Sequence, residues 1–155
     1  EMKGTINSKS LKKFNKLIKK YPNITLINIK NCDGSSDDET NLKLSLKVHE
    51  KNINIHLMDN GSIASGGVDF FLSGIKRSKG NDTQIGVHSW SDGSNSATDY
   101  AIGHSNHLPY IDYYKNIGFS QEDAENFYYY TINSATAKSI HWMTEDEISQ
   151  YKILN

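Results

Sequence analysis

The chain has 155 residues, the size of one domain, and a body of this size buries roughly two thirds of the surface its unfolded chain exposes. Lysine plus arginine (17) nearly balances aspartate plus glutamate (18), so no whole-chain field draws it to nucleic acid or to an anionic membrane. A single cysteine, Cys32, excludes an intramolecular disulfide and a Cys-rich zinc site, and no apolar run approaches the roughly 20 residues that span a bilayer.

Residues 9 to 21 place Leu11, Phe14, Leu17 and Ile18 at helical spacing with lysines opposite, and Pro22 follows as a stop. The lysines read as a solvated face rather than a phosphate-binding patch, because no aromatic residues interleave them for base stacking. Residues 24 to 29, I-T-L-I-N-I, predict a strand that enters the polar turn N-C-D-G-S-S-D-D. From 40 to 50, Leu42, Leu44, Leu46 and Val48 alternate as in a strand, although the D-D-E before them suits a helix N-terminus. Residues 53 to 58 alternate again and deliver the chain to D-N-G-S-I-A-S-G-G-V-D-F-F, residues 59 to 71. A third strand is expected over 83 to 90, ending near His88 and a loop of turn formers. Three helices then close the chain: one opened by Pro109, one by Ser120-x-x-Asp123 and one by Thr144-x-x-Glu147. Alternating strands and helices with no repeat or linker make residues 1–155 a single α/β layered domain.

A serine hydrolase needs a hydroxyl nucleophile, a histidine to take its proton and backbone N–H groups aimed at the oxyanion. Ser65 stands between a strand and a predicted helix, flanked by Ala64, Gly66 and Gly67, which leave room for a substrate backbone. His88 ends the next strand. The Cys32-Asp33-Gly34-Ser35 turn offers an oxyanion N–H from Asp33 or Gly34 beside that of Gly66. A serine in a glycine-rich turn is, on residue type alone, more often a turn or cap residue. The G-x-S-x-G elbow of α/β-hydrolases is absent, since position 63 is Ile.

Gly61-x-x-Ala64-Ser65-x-Gly67, the short apolar segment to Gly74 and Ile85-Gly86-Val87-His88 resemble the proteolytic subunit of the Clp protease. G-V-H-S-W-S-D-G, H-L-P-Y-I-D-Y-Y and I-H-W-M-T-E-D-E are similar to the Clp-protease-like predicted periplasmic proteins of bacteria. The resemblance implies a crotonase-like (ClpP-like) βαβ spiral, with residues 40 to 50 as a helix after the oxyanion loop. It also implies a peptide or other acyl substrate, an extracytoplasmic location and a homo-oligomer. In the last case the tyrosine-rich 110 to 130 region packs against another subunit, whereas the plainer reading has it cover the domain's own sheet. Two positions depart from the peptidase pattern. Its Gly-Gly pair is Asp33-Gly34 here, and alignment puts Ile140 where its third catalytic residue, an aspartate, stands. By residue type, Asp92, Asp99, Asp112, Asn133 and His141 qualify to orient His88; without one, the site is a Ser-His dyad.

Other features carry less. His104-x-x-His107 puts two imidazoles on one helical face but has no third ligand at metal-site spacing, so no metal and no cofactor are expected. Residues 91 to 99 have calcium-loop residue types without the EF-hand order and read as a substrate-side loop. Lys76, Arg77 and Lys79 offer an acidic group a partner, and Lys79 is an alternative base, as in the related signal peptide peptidases; His88 already fills that role. The sequence therefore predicts a serine hydrolase of the peptidase kind. A catalytically weak or inactive binding domain is the alternative, and an acyl-CoA enzyme of the crotonase type lacks its signature.

Overall fold

A computed structural model describes all 155 residues. The strands are β1 (Met2–Lys3), β2 (Leu26–Cys32), β3 (Asn54–Ala64), β4 (Arg77–Lys79), β5 (Gln84–Val87) and β6 (His141–Trp142). The helices are α1 (Ser10–Lys20), α2 (Asp38–Glu50), α3 (Gly66–Leu72), α4 (Leu108–Asn116), α5 (Gln121–Ser134) and α6 (Glu145–Gln150). The sheet runs β1-β2-β3-β5-β6, with β4 also on β3, and only the β5–β6 pair is antiparallel. Parallel neighbours require crossovers. Here α2 joins β2 to β3 and α3 joins β3 to β4, giving the successive βαβ turns of a spiral.

β3 organises this arrangement. It extends well beyond the 53 to 58 segment expected of it and runs through the stretch thought to be a turn, as far as Ala64. Its first half pairs with β4, from Ile55↔Arg77 to Leu57↔Lys79, and its second half with β5, from Ser62↔Gln84 to Ala64↔Gly86. Against β2 the register jumps from Ile29↔Leu57 to Asn31↔Ser62, so β3 bulges between Met58 and Gly61. A Cβ on Gly61 would lie 2.6 Å from Met58 O and 2.8 Å from Lys30 O, so only glycine lets the two strands close again. The bulge re-aims the strand, and the second half carries Ser65 to the end of the sheet.

The alternating leucines of residues 40 to 50 form a helix, as the family resemblance implied and the period-two pattern did not. Asp37 caps α2 by accepting from Thr40 N–H at 2.9 Å; Asp38 and Glu39 occupy the first turn and Lys47 and His49 the last, in the sense the helix dipole favours. The helix packs against α1, α3 and α4. Several of its faces are therefore apolar, and alternation at Leu42, Leu44 and Val48 reflects burial on more than one side rather than a pleat.

The core lies between the sheet and α3, α4 and α5, and the buried apolar side chains form one contiguous cluster. Tyr113, Tyr114 and Tyr128 are buried within it, and Tyr130 stacks on Tyr151 with ring centroids 4.1 Å apart. Arg77 is also buried: its guanidinium donates to the carbonyls of Ile153, Leu72, Gly74 and Lys152, tying the C-terminus to β4. Its role is structural. No helix is long and apolar enough to cross a membrane.

Candidate active site

Ser65 follows β3 directly and stands at the N-cap of α3 with φ 52° and ψ −129°. That backbone region is nearly closed to a residue with a Cβ and costs on the order of 1–3 kcal/mol. Packing holds it there: Ser65 N–H donates to Gly86 O at 3.0 Å, and Ser65 O accepts from Val68 N–H at 2.8 Å. An N-cap serine ordinarily turns its hydroxyl onto its own helix. Ser65 does not, so the hydroxyl is uncommitted.

The neighbours keep space around it. A Cβ on Gly66 would stand 2.4 Å from Ser35 Oγ and 2.9 Å from Asn41 Nδ2. Gly34, at φ +136°, approaches so closely that an added Cβ would meet Ser65 Cβ at 3.2 Å. The turn after β2 therefore lies against Ser65, where the sequence placed it. The amides of Asp33 and Gly34 donate no backbone hydrogen bond, and Gly66, as the first residue of α3, has no partner within its helix. Val68 N–H fixes the Ser65–Gly66 peptide that carries the Gly66 amide. The next peptide is fixed by Asn41, fully buried on α2, whose Nδ2 donates to Gly66 O at 2.8 Å while its Oδ1 has no partner.

His88 follows β5 and shares a cavity of about 40 Å³ with Ser65 and Gly66. Its Nδ1 lies 2.7 Å from Ser89 O. A carbonyl only accepts, so in the neutral imidazole Nδ1 carries the proton and Nε2 the lone pair. No carboxylate bonds this ring, and no hydrogen bond joins it to Ser65. Val68, Trp90, Tyr110, Tyr128 and two carboxyl groups, those of Asp38 and Asp69, are among the other residues of its wall.

Asp69 is the member that residue-by-residue reading missed, although it lies four residues beyond Ser65 and so one turn along the short α3. Burial pushes its carboxyl up to about 7, opposed by the Tyr114 hydroxyl, which donates to Oδ1 at 2.6 Å. Tyr113 donates to Asp69 O.

The five residues considered as orienters of His88 bond elsewhere. Asp92 accepts from Tyr100 Oη at 2.6 Å and from the amides of Asn95 and Ser94, which hold its carboxyl down to about 2. Asp99 closes a capping box with Ser96 inside the same loop. Asp112 is exposed on α4, 3.7 Å from Lys115 Nζ. Asn133 is exposed and donates to Tyr129 O. His141 bonds the Glu147 carboxylate at 3.0 Å; that group is held down to about 2, chiefly by Thr144 N–H. Lys79 pairs with Glu145 at 2.8 Å and does not line the Ser65 cavity. His107 is buried with both ring nitrogens used. Trp90 Nε1 donates to Tyr128 Oη, so the Tyr128 proton goes to His107 Nδ1, and His107 Nε2 donates to Ala101 O. No three side chains of metal-binding type cluster together.

No family model matches this sequence, and no curated protein matches it. Solved structures do match the fold. A mutant of the 1510-N membrane-bound stomatin-specific protease, in complex with a substrate peptide, is 16% identical at a TM-score of 0.58, over 98% of this chain and 72% of that one. A second mutant of that protease is 18% identical at 0.60, over 99% and 75%. The fold is Clp-protease-like. ClpP1 from Listeria monocytogenes extends the agreement, at 16% identity and a TM-score of 0.58, over 99% of this chain and 86% of the neighbour. The α/β spiral expected from the Ser65 and His88 motifs is thus the observed architecture.

Proposed function

We propose that this Clp-protease-like chain is a serine hydrolase acting on peptides. Ser65 Oγ attacks the scissile carbonyl and His88 Nε2 takes its proton. The Gly66 N–H, with that of Asp33 or Gly34, receives the oxyanion. His88 then returns the proton to the leaving amine, and water repeats the sequence on the acyl-enzyme. The observation that carries this reading is Ser65 itself: a serine held at positive φ at a helix N-cap that does not cap, sharing a cavity with a histidine whose Nε2 is free to accept. Catalytic hydrogen bonds are often absent before substrate binds, and the Ser65–His88 bond belongs to the substrate complex.

Ser89 O replaces the carboxylate of a triad. It sets the tautomer but supplies no full negative charge to the imidazolium, and loss of an orienting aspartate can cost about 10⁴ in kcat. Slow turnover is therefore expected. Incubation with a mixed peptide library, read by mass spectrometry, tests the reading: cleavage that disappears in Ser65→Ala supports it. Cleavage equal in wild type and Ser65→Ala, or none by the folded wild type over days, rejects it in favour of a binding domain.

A further inference from the structure

The Ser65 cavity adjoins a larger surface groove of about 700 Å³, and the two share Asp38, Trp90 and Tyr110 as a common wall. At about 40 Å³ the inner cavity has room for little more than a methyl group beside a scissile carbonyl. A longer substrate side chain has the adjoining groove to lie in.

The groove has a marked charge asymmetry. Asp38, Glu39, Asp92 and Asp112 line it against one ammonium, Lys43, and Asp112 lies 3.7 Å from Lys115 Nζ beyond the lining. Lys43 is already held by Glu39 at 2.6 Å. Asp38 and Asp92 have no cationic partner: the first accepts from Tyr110 Oη at 2.8 Å and from Ser35 Oγ, the second from Tyr100 Oη at 2.6 Å and from the amides of Ser94 and Asn95. These bonds fix the carboxylates without neutralising them. Trp90 stacks on Tyr110 with centroids 6.2 Å apart, and Tyr110 stacks on Tyr128 at 5.6 Å, so the shared wall is aromatic. Fixed carboxylates beside aromatic faces suit a guanidinium or ammonium on an aliphatic stem. The chain as a whole is nearly neutral, and no lysine of α1 lines this groove, so the asymmetry is local.

We propose that the groove selects peptides with a small residue at the scissile carbonyl and a lysine or arginine next to it, the cationic head lying between Asp38, Asp92 and the Trp90 and Tyr110 rings. This rests on the hydrolase reading for the direction in which the chain enters, but binding can be measured without turnover. The test uses the intact Ser65→Ala protein and fluorescein-labelled peptides of alanine carrying one lysine, norleucine or glutamate, with affinity read by anisotropy. The lysine peptide is expected to bind at least tenfold tighter than the norleucine peptide and the glutamate peptide weaker than both. Raising salt from 50 to 500 mM should erode most of that preference. In the background of Asp38→Asn with Asp92→Asn, checked for folding by circular dichroism, the lysine-to-norleucine ratio should fall to about two or below. Equal affinity for lysine and norleucine peptides, or a lysine preference unchanged by salt, would overturn the inference. Cleavage by the wild type bears separately on the hydrolase reading, so the two fail independently.

Discussion

Replacing Asp69 by asparagine should stabilise the protein, and should do so only above mildly acidic pH. The Asp69 carboxyl titrates at about 7 in the fold against an ordinary value of 3.8, because burial beside Val68 and Tyr114 disfavours its charge. Between those values the native state holds a proton that the unfolded chain has released, so stability falls as pH rises, by about 1.4 kcal/mol per unit at most. The gap of about 3 units corresponds to about 4 kcal/mol above pH 7. Solvent reaches part of the side chain, which leaves about 2 to 4 kcal/mol as the expected penalty. Asparagine keeps an acceptor for the Tyr114 hydroxyl and carries no charge. Urea unfolding followed by the fluorescence of Trp90 and Trp142 should give similar stabilities for wild type and Asp69→Asn near pH 4. At pH 8 the variant should be more stable by roughly 2 kcal/mol or more. Parallel pH profiles for the two proteins would refute the claim that Asp69 is held above its ordinary range.

Two further substitutions probe the Ser65 turn. Ser65→Gly removes the Cβ from a strained backbone and should raise stability by about 1 kcal/mol, near 2–4 °C in melting temperature for a chain of this size, while abolishing hydrolysis; a lower melting temperature would show that the turn stores no strain. Asn41→Leu frees Gly66 O from its donor but also removes a buried oxygen without a partner. Its effect on stability should therefore stay within about 1 kcal/mol, while the rate of Ser65 acylation falls about tenfold with little change in KM. A loss of stability with an unchanged acylation rate would reduce Asn41 to a packing role.

How much of this was legible in the sequence varies with the distance over which each feature is determined. The α1 stripe and the capping sequences at Ser120 and Thr144 are local and read directly, whereas the strand expected over 24 to 29 runs over Leu26–Cys32, because pairing with β1 and β3 draws Asn31 and Cys32 out of the expected turn. Alternation in α2 misled because the helix is covered on several sides, which a periodicity argument assuming one buried face cannot anticipate. β1, β4 and β6 are two or three residues long and exist only through pairing. The small residues around Ser65 were informative because the turn excludes bulk, as the contacts of Gly66 with Ser35 and Asn41 show. Asp69, Asn41 and the Asp38–Tyr110 wall were not, since their meaning comes from α2, α3 and α4 meeting in space. Asp99 was readable after all: Ser96-x-x-Asp99 is a capping pattern, and such an aspartate is already committed to its own backbone.

Ser65 is proposed as a nucleophile activated by His88. Treatment with a fluorophosphonate, followed by proteolysis and tandem mass spectrometry, measures this directly. A single phosphonylated residue is expected, Ser65, with labelling slowed at least a hundredfold in His88→Ala. Modification of other serines with Ser65 untouched, or labelling of Ser65 at the same rate without the imidazole, would contradict it.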